Sequence, residues 1–255
     1  MSIINKLIFL LVSTTVLLLS ITPKVFSQHT YNDGSYWVSY SGDHKINDKI
    51  GIHTDGQFRN LGVYNAPATG LIRVGANFYT SKTSRLTAGY AFVYKSPTNE
   101  ELGGSTSREN RIWEQFLMRK KTNFIFMEHR YRLEHRFVDN LTQESSNIDH
   151  RMRYRFQMIF PLYSISPHLR YFFLAANDEI MMNLTSTVND IYDRNRIYFA
   201  LGVQVSPKLN FQFGYMNELS NQVIEPDLLQ THAFQFRVSY NMDDLMRSFF
   251  LPVKK

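Results

Sequence analysis

Two neighbouring stretches of the chain carry charge at every second position. Glu128, Arg130, Arg132, Glu134 and Arg136 alternate with His129, Tyr131, Leu133, His135 and Phe137. Arg151, Arg153, Arg155 and Gln157 alternate with Met152, Tyr154, Phe156 and Met158. A period of two sends alternate side chains to opposite faces of a β-strand, so each stretch has one ionic and one apolar face. A guanidinium offers five donors in a rigid fork and a carboxylate accepts two of them together, so the chemistry on offer is ion pairing or anion capture. The polar stretch between them is predicted to be a hairpin loop, which makes the two strands adjacent and antiparallel. Cross-strand pairing then brings Glu134 to Arg151 or Arg153, and Glu128 to Arg155 or Gln157. Arg111, Arg119, Arg170, Arg194 and Arg196 lie on or beside other strand-like stretches and are further candidates for the same face.

Three uses compete for that face. Paired charges can brace a closed interior, because a buried charge left without a partner costs several kcal/mol. The excess of arginine over carboxylate can instead line an anion-attracting lumen. Arginines near an outer rim can hold lipopolysaccharide phosphates through charge-assisted hydrogen bonds. A separate set, Asp139, Ser145, Ser146, Asp149 and His150, falls in one stretch read as an outer loop. Nucleophilic catalysis needs a base within reach of a hydroxyl and an orienting group behind the base. Ser145, Ser146, Asp149 and His150 have the right residue types for a lipid hydrolase or acyltransferase, but no Gly-x-Ser-x-Gly surrounds either serine. No His-x-x-x-His or EF-hand spacing occurs, so no metal and no cofactor is expected.

Eleven strand-like stretches position these residues, near 35–42, 46–55, 69–79, 84–94, 111–120, 123–138, 149–160, 168–176, 192–205, 208–218 and 230–241. Many have about the ten residues that a tilted strand needs to cross a bilayer. The chain has 20 Phe, 15 Tyr and 2 Trp with a mean hydropathy of −0.29. That combination suits a membrane barrel, in which only alternate residues face lipid and aromatic residues gather at the interfaces. Short turns at 81–83, 121–122, 164–167 and 206–207 alternate with longer polar connections at 56–68, 95–110, 139–148, 177–191 and 219–229. Glycines 75, 89, 202 and 214 fall on the inward face, where they relieve crowding or allow curvature. The predicted fold is an all-β, antiparallel up-and-down transmembrane barrel of about 10–12 strands. An even total is expected of a single-chain bacterial barrel, which sets the count of eleven at odds with the rule. Glu114, His129 and His135 share the apolar face, and a β-bulge near Glu114 is one way to turn that carboxylate inward.

Residues 1–27 read as a cleaved signal peptide. Lys6 supplies the positive region, Leu7 to Ile21 the apolar region, and Ser27 the small residue before the cut, leaving a domain of residues 28–255. Cleavage lowers the formal charge from +6 to +4, because Lys6 and Lys24 leave. An exported chain of mild charge is not expected to meet nucleic acid. With no cysteine there are neither disulfides nor thiolate zinc sites, so a closed hydrogen-bonded barrel must supply cohesion.

One set of residues carries a family likeness. It comprises Trp37, Gly89-Tyr90, Arg111-Ile112-Trp113-Glu114-Gln115, the run Arg130 to Phe137, and Arg153-Tyr154-Arg155 leading to Pro161-Leu162. With them the chain resembles an uncharacterised family of Gram-negative outer-membrane β-barrels known only as a domain of unknown function, the 2490 type. The resemblance implies an outer-membrane barrel and brings no activity. The expected function is therefore a non-enzymatic outer-membrane protein, structural or a narrow, porin-like, anion-leaning channel, with a lipid-modifying barrel enzyme as the alternative. The expected partners are outer-membrane lipid, lipopolysaccharide and small anionic solutes.

Overall fold

The alternating stretches close on themselves. The computed structural model describes residues 30–61, 68–96, 106–122, 125–142, 144–162, 171–185, 191–206, 208–221 and 228–241. The stretch read as a signal peptide and the turn at 164–167 lie outside them. Eleven strands follow in chain order: β1 (Thr30–Lys45), β2 (Ile50–Leu61), β3 (Ala68–Tyr79), β4 (Ser84–Lys95), β5 (Ser107–Lys121), β6 (Phe126–Asn140), β7 (Ser145–Pro161), β8 (Tyr171–Asn183), β9 (Tyr192–Gln204), β10 (Leu209–Asn221) and β11 (Leu228–Asn241). Consecutive strands pair antiparallel around a closed barrel, and β1 returns to β11.

The eleven strands agree with the stretches read from the sequence and fall within the expected 10–12, while the even total expected of a bacterial barrel is not met and this last contact departs from an antiparallel wall. In an up-and-down chain of eleven strands the first and last point the same way, so the closing ladder is parallel, with Trp37 beside Gln235 and Tyr40 beside Val238. Parallel pairing is slightly weaker per residue. A side-chain bond from Gln235 Nε2 to Ser39 Oγ at 3.1 Å crosses this seam.

The strands run 12 to 17 residues, longer than the roughly 9–11 a tilted strand needs to span a bilayer. They therefore extend into stretches read as loops. β8 takes residues 171–183, β10 continues to Asn221, and the β6–β7 connection shrinks to a tight turn that includes Glu144, at φ 49°. Polar residues at both faces of a strand end hide the alternation there, while the backbone ladder continues regardless.

The wall inverts the usual pattern of burial. Trp113 is wholly buried, whereas Ile72 is 72% exposed on the outer surface. Phe213 stacks on Phe234, and Phe211 on Phe236, on strands β10 and β11. Arginines, glutamates and amides fill the interior. The inward glycines seat large rings among them. Gly89 lies between Gly75 and Trp113 in register, and a Cβ there would come within 2.1 Å of the Val74 carbonyl oxygen and 2.9 Å of the Trp113 ring. At Gly202 a Cβ would meet the Phe173 ring at 2.2 Å. No register break reverses the face at Glu114: β5 pairs evenly with both neighbours, so the β-bulge considered there is absent and the carboxylate faces outward.

Candidate functional site

The ionic interior is built from strand parity. On β6 and β7, Glu134 stands opposite Arg151, Arg132 opposite Arg153, Arg130 opposite Arg155 and Glu128 opposite Gln157. Side chains long enough to reach across then converge on the carboxylates. Glu134, 1% exposed, accepts from Arg151 Nη2 at 2.6 Å and from Arg153 Nη1 at 2.8 Å. Arg111, Arg132 and Arg73 lie at 3.6, 3.8 and 4.0 Å, so five arginines surround one carboxylate. Glu179 takes a bidentate pair from Arg153, at 3.1 and 2.8 Å, and a further bond from Arg130. Glu128 joins Arg119 at 2.9 Å to Arg155 at 2.5 Å. Glu109 holds Arg111 and Arg136, each with a contact of 2.5 Å. Glu218 binds Arg196, and also Arg194 at 3.0 Å, while Asp193 links Arg194 to Arg151.

The two tryptophans extend this network without charge of their own. Arg59 lies 4.2 Å and Arg196 5.1 Å from the Trp37 ring. Arg132 lies 4.8 Å and Arg73 5.6 Å from the Trp113 ring. Such stacking places a cation on an aromatic face and is stronger away from water. A second arrangement joins Asp43 to Arg85 at 2.8 Å and to His53 Nδ1 at 2.8 Å. The side chains leave a polar interior cavity of about 150 Å³.

All the arginines and glutamates assigned from the sequence to the ionic face share this interior, except Arg170, which lies outside the described residues. Several partners were missed. Glu109 and Glu179 sit in stretches read as loops, so the apparent excess of arginine was overstated. Arg59 lies in the stretch 56–68 read as a connection, whereas Arg73, Arg85 and Arg237 were legible in principle, since each occupies an inward position in an alternating stretch. Glu218 was available in the same way, whereas Asp193 has the parity of the outward Ile197 and meets Arg151 and Arg194 from beside the register shift between β8 and β9 at Met181 and Met182.

The catalytic candidates do not assemble. All four lie on β7 near its hairpin end rather than in a loop. Strand parity sends Ser146 and His150 outward and Ser145 and Asp149 inward. Ser146 donates to Asp139 Oδ1 at 2.8 Å, and Asp149 approaches Arg136 at 3.9 Å. The His150 ring is bonded to His135, Nδ1 to Nδ1 at 2.9 Å, and His135 in turn meets Glu114 at 3.4 Å on the outer wall. The outward histidines thus gain polar partners at the apolar face: His129 bonds the Tyr154 hydroxyl at 2.9 Å, and His232 the Tyr215 hydroxyl.

Residues 34–227 match the family model described as "Protein of unknown function (DUF2490)". No curated protein matches the chain. Among solved structures, LpxR from Salmonella typhimurium is similar with a TM-score of 0.48 and 8% sequence identity, over 82% of this chain and 88% of that one.

Proposed function

We propose, for a chain that belongs to the DUF2490 family, a structural role in the outer membrane: a non-enzymatic barrel whose interior charges brace the wall. On this reading residues 1–27 direct export and are removed, and residues 28–255 cross the membrane. The outer surface contacts lipid and lipopolysaccharide, consistent with its exposed Ile72, Phe199, Phe213 and Phe234. The observation that carries the proposal is the burial of Glu134 among five arginines. A lining meant for a passing solute leaves its charges to water or to the solute. Here, among the described residues, the interior carboxylates are all spent on guanidiniums or imidazole, and the central cavity is about 150 Å³.

Planar-bilayer recording tests it. The purified barrel is expected to give no current above background. A steady ion current would overturn the closed scaffold. Selectivity of that current for anions would favour the narrow channel, the second reading, which the arginines around the central cavity support. Heat-modifiable migration of protein extracted from the outer-membrane fraction checks the location, and a periplasmic soluble chain would lack it.

A further inference from the structure

Charge balances over most of the interior but not at its centre. Among the described residues the central cavity is lined by nine arginines and four carboxylates, Asp43, Asp55, Glu128 and Glu179, and Glu134 and Glu218 pair with lining arginines from behind, so the arginines still outnumber their carboxylates. Hydrogen bonds do not absorb this surplus. Arg237 has the Gln235 amide oxygen at 3.2 Å and the Tyr198 ring at 4.9 Å, with no carboxylate. Arg132 gives both Nε and Nη2 to the single amide oxygen of Gln115. Buried N–H groups remain without a partner on Arg85, at Nε and Nη1, and on the Nε atoms of Arg73, Arg130 and Arg155. Arg73 and Arg85 are 4% and 3% exposed. Like charges repel strongly where water is scarce, and a buried charged donor without an acceptor is costly.

We propose that this cavity is an anion site, occupied by one small tetrahedral oxyanion of the phosphate or sulfate class that serves as a fixed counter-ion. The inference rests on the reading of the interior as a closed scaffold and adds the ligand that completes it. Two oxygens on one edge of a tetrahedral oxyanion match the paired N–H groups of a guanidinium fork, a match that a spherical halide lacks. A space of about 150 Å³ suits an ion of this size with a few waters. The strand wall closes around the cavity, so the ion comes from water rather than from a lipid head group.

The test uses the full barrel folded in detergent and washed free of phosphate and sulfate. Ion chromatography of acid-unfolded protein measures any ion that stayed bound, and calorimetric titration with inorganic phosphate at constant ionic strength measures rebinding. The expected result is one oxyanion per barrel, found by release or by saturable titration, with no equivalent effect of chloride. Arg237→Gln should weaken phosphate binding at least tenfold while the barrel still migrates as folded. Arg108→Gln, on the outer surface, should bind as the wild type does. Absence of both released and titratable ion in a folded barrel, wild-type binding by Arg237→Gln, or equal competition by chloride would each overturn the site. Ionic current in bilayers would defeat the closed scaffold separately, because calorimetry reads binding without current.

Discussion

Two parts of the wall enclose one lumen with different chemistry. Strands β5 to β7 present Glu109, Arg111, Arg119, Glu128, Arg132, Glu134, Arg151 and Arg153 to the interior. Strands β10, β11 and β1 present Asn210, Gln212, Thr231, Gln235, Ser35 and Ser39 over much of theirs, with Glu218, Arg237 and Asp43 as charged exceptions. The charged part is a continuous antiparallel run, where a slip of one residue would turn every charge to the apolar outer face. The neutral part contains the parallel seam, where small hydroxyls and amides adapt to an unusual ladder. Ionic pairing spans the first, and chain closure in the second rests on backbone pairing, one amide-to-hydroxyl bond and the His44–Tyr240 ring stack.

The contrast orders the expected damage. Glu134→Gln should be the most harmful change, costing about 3–5 kcal/mol, because it leaves several buried guanidiniums without their shared partner. Chemical unfolding of the detergent-folded barrel reads this directly, and a loss below about 1 kcal/mol would remove the distinction between the two parts. Gly89→Val should follow, at about 1–3 kcal/mol, since the added carbons must displace the Val74 backbone or the Trp113 ring. Gln235→Ala, at the seam, should cost about 1 kcal/mol. A larger loss there than at Glu134 would mean that closure, not the brace, limits stability. Ser146→Ala should be nearly silent, within about 0.5 kcal/mol, and should leave the lipid A of expressing cells unchanged by mass spectrometry. A lipid change that depends on Ser146 would revive the enzyme alternative.

Legibility in the sequence followed the same divide. The β6–β7 pairing could be read from residue types because both strands alternate without a break and a hairpin joins them. The count of eleven was also legible, yet the parallel closure was not, since nothing local in Thr30–Lys45 tells which partner its free edge will meet. Glu109 and Glu179 escaped notice for a third reason. Around Glu109 the outward Arg108 and Asn110 are also polar, and around Glu179 an outward Asp178 and an inward Met181 break the pattern, so the period of two fades while the hydrogen-bonded ladder continues. Ser146 and His150 show the opposite error: proximity in sequence suggested a common site, and strand geometry gave each a different partner.

The most direct test of the brace is a double-mutant cycle on Glu134→Gln and Arg151→Met, read by reversible unfolding in detergent. The account predicts strong coupling, on the order of 1–3 kcal/mol, with the double variant losing much less than the two single losses together. Additive losses would contradict it, because they would mean that these charges do not stabilise the barrel through one another.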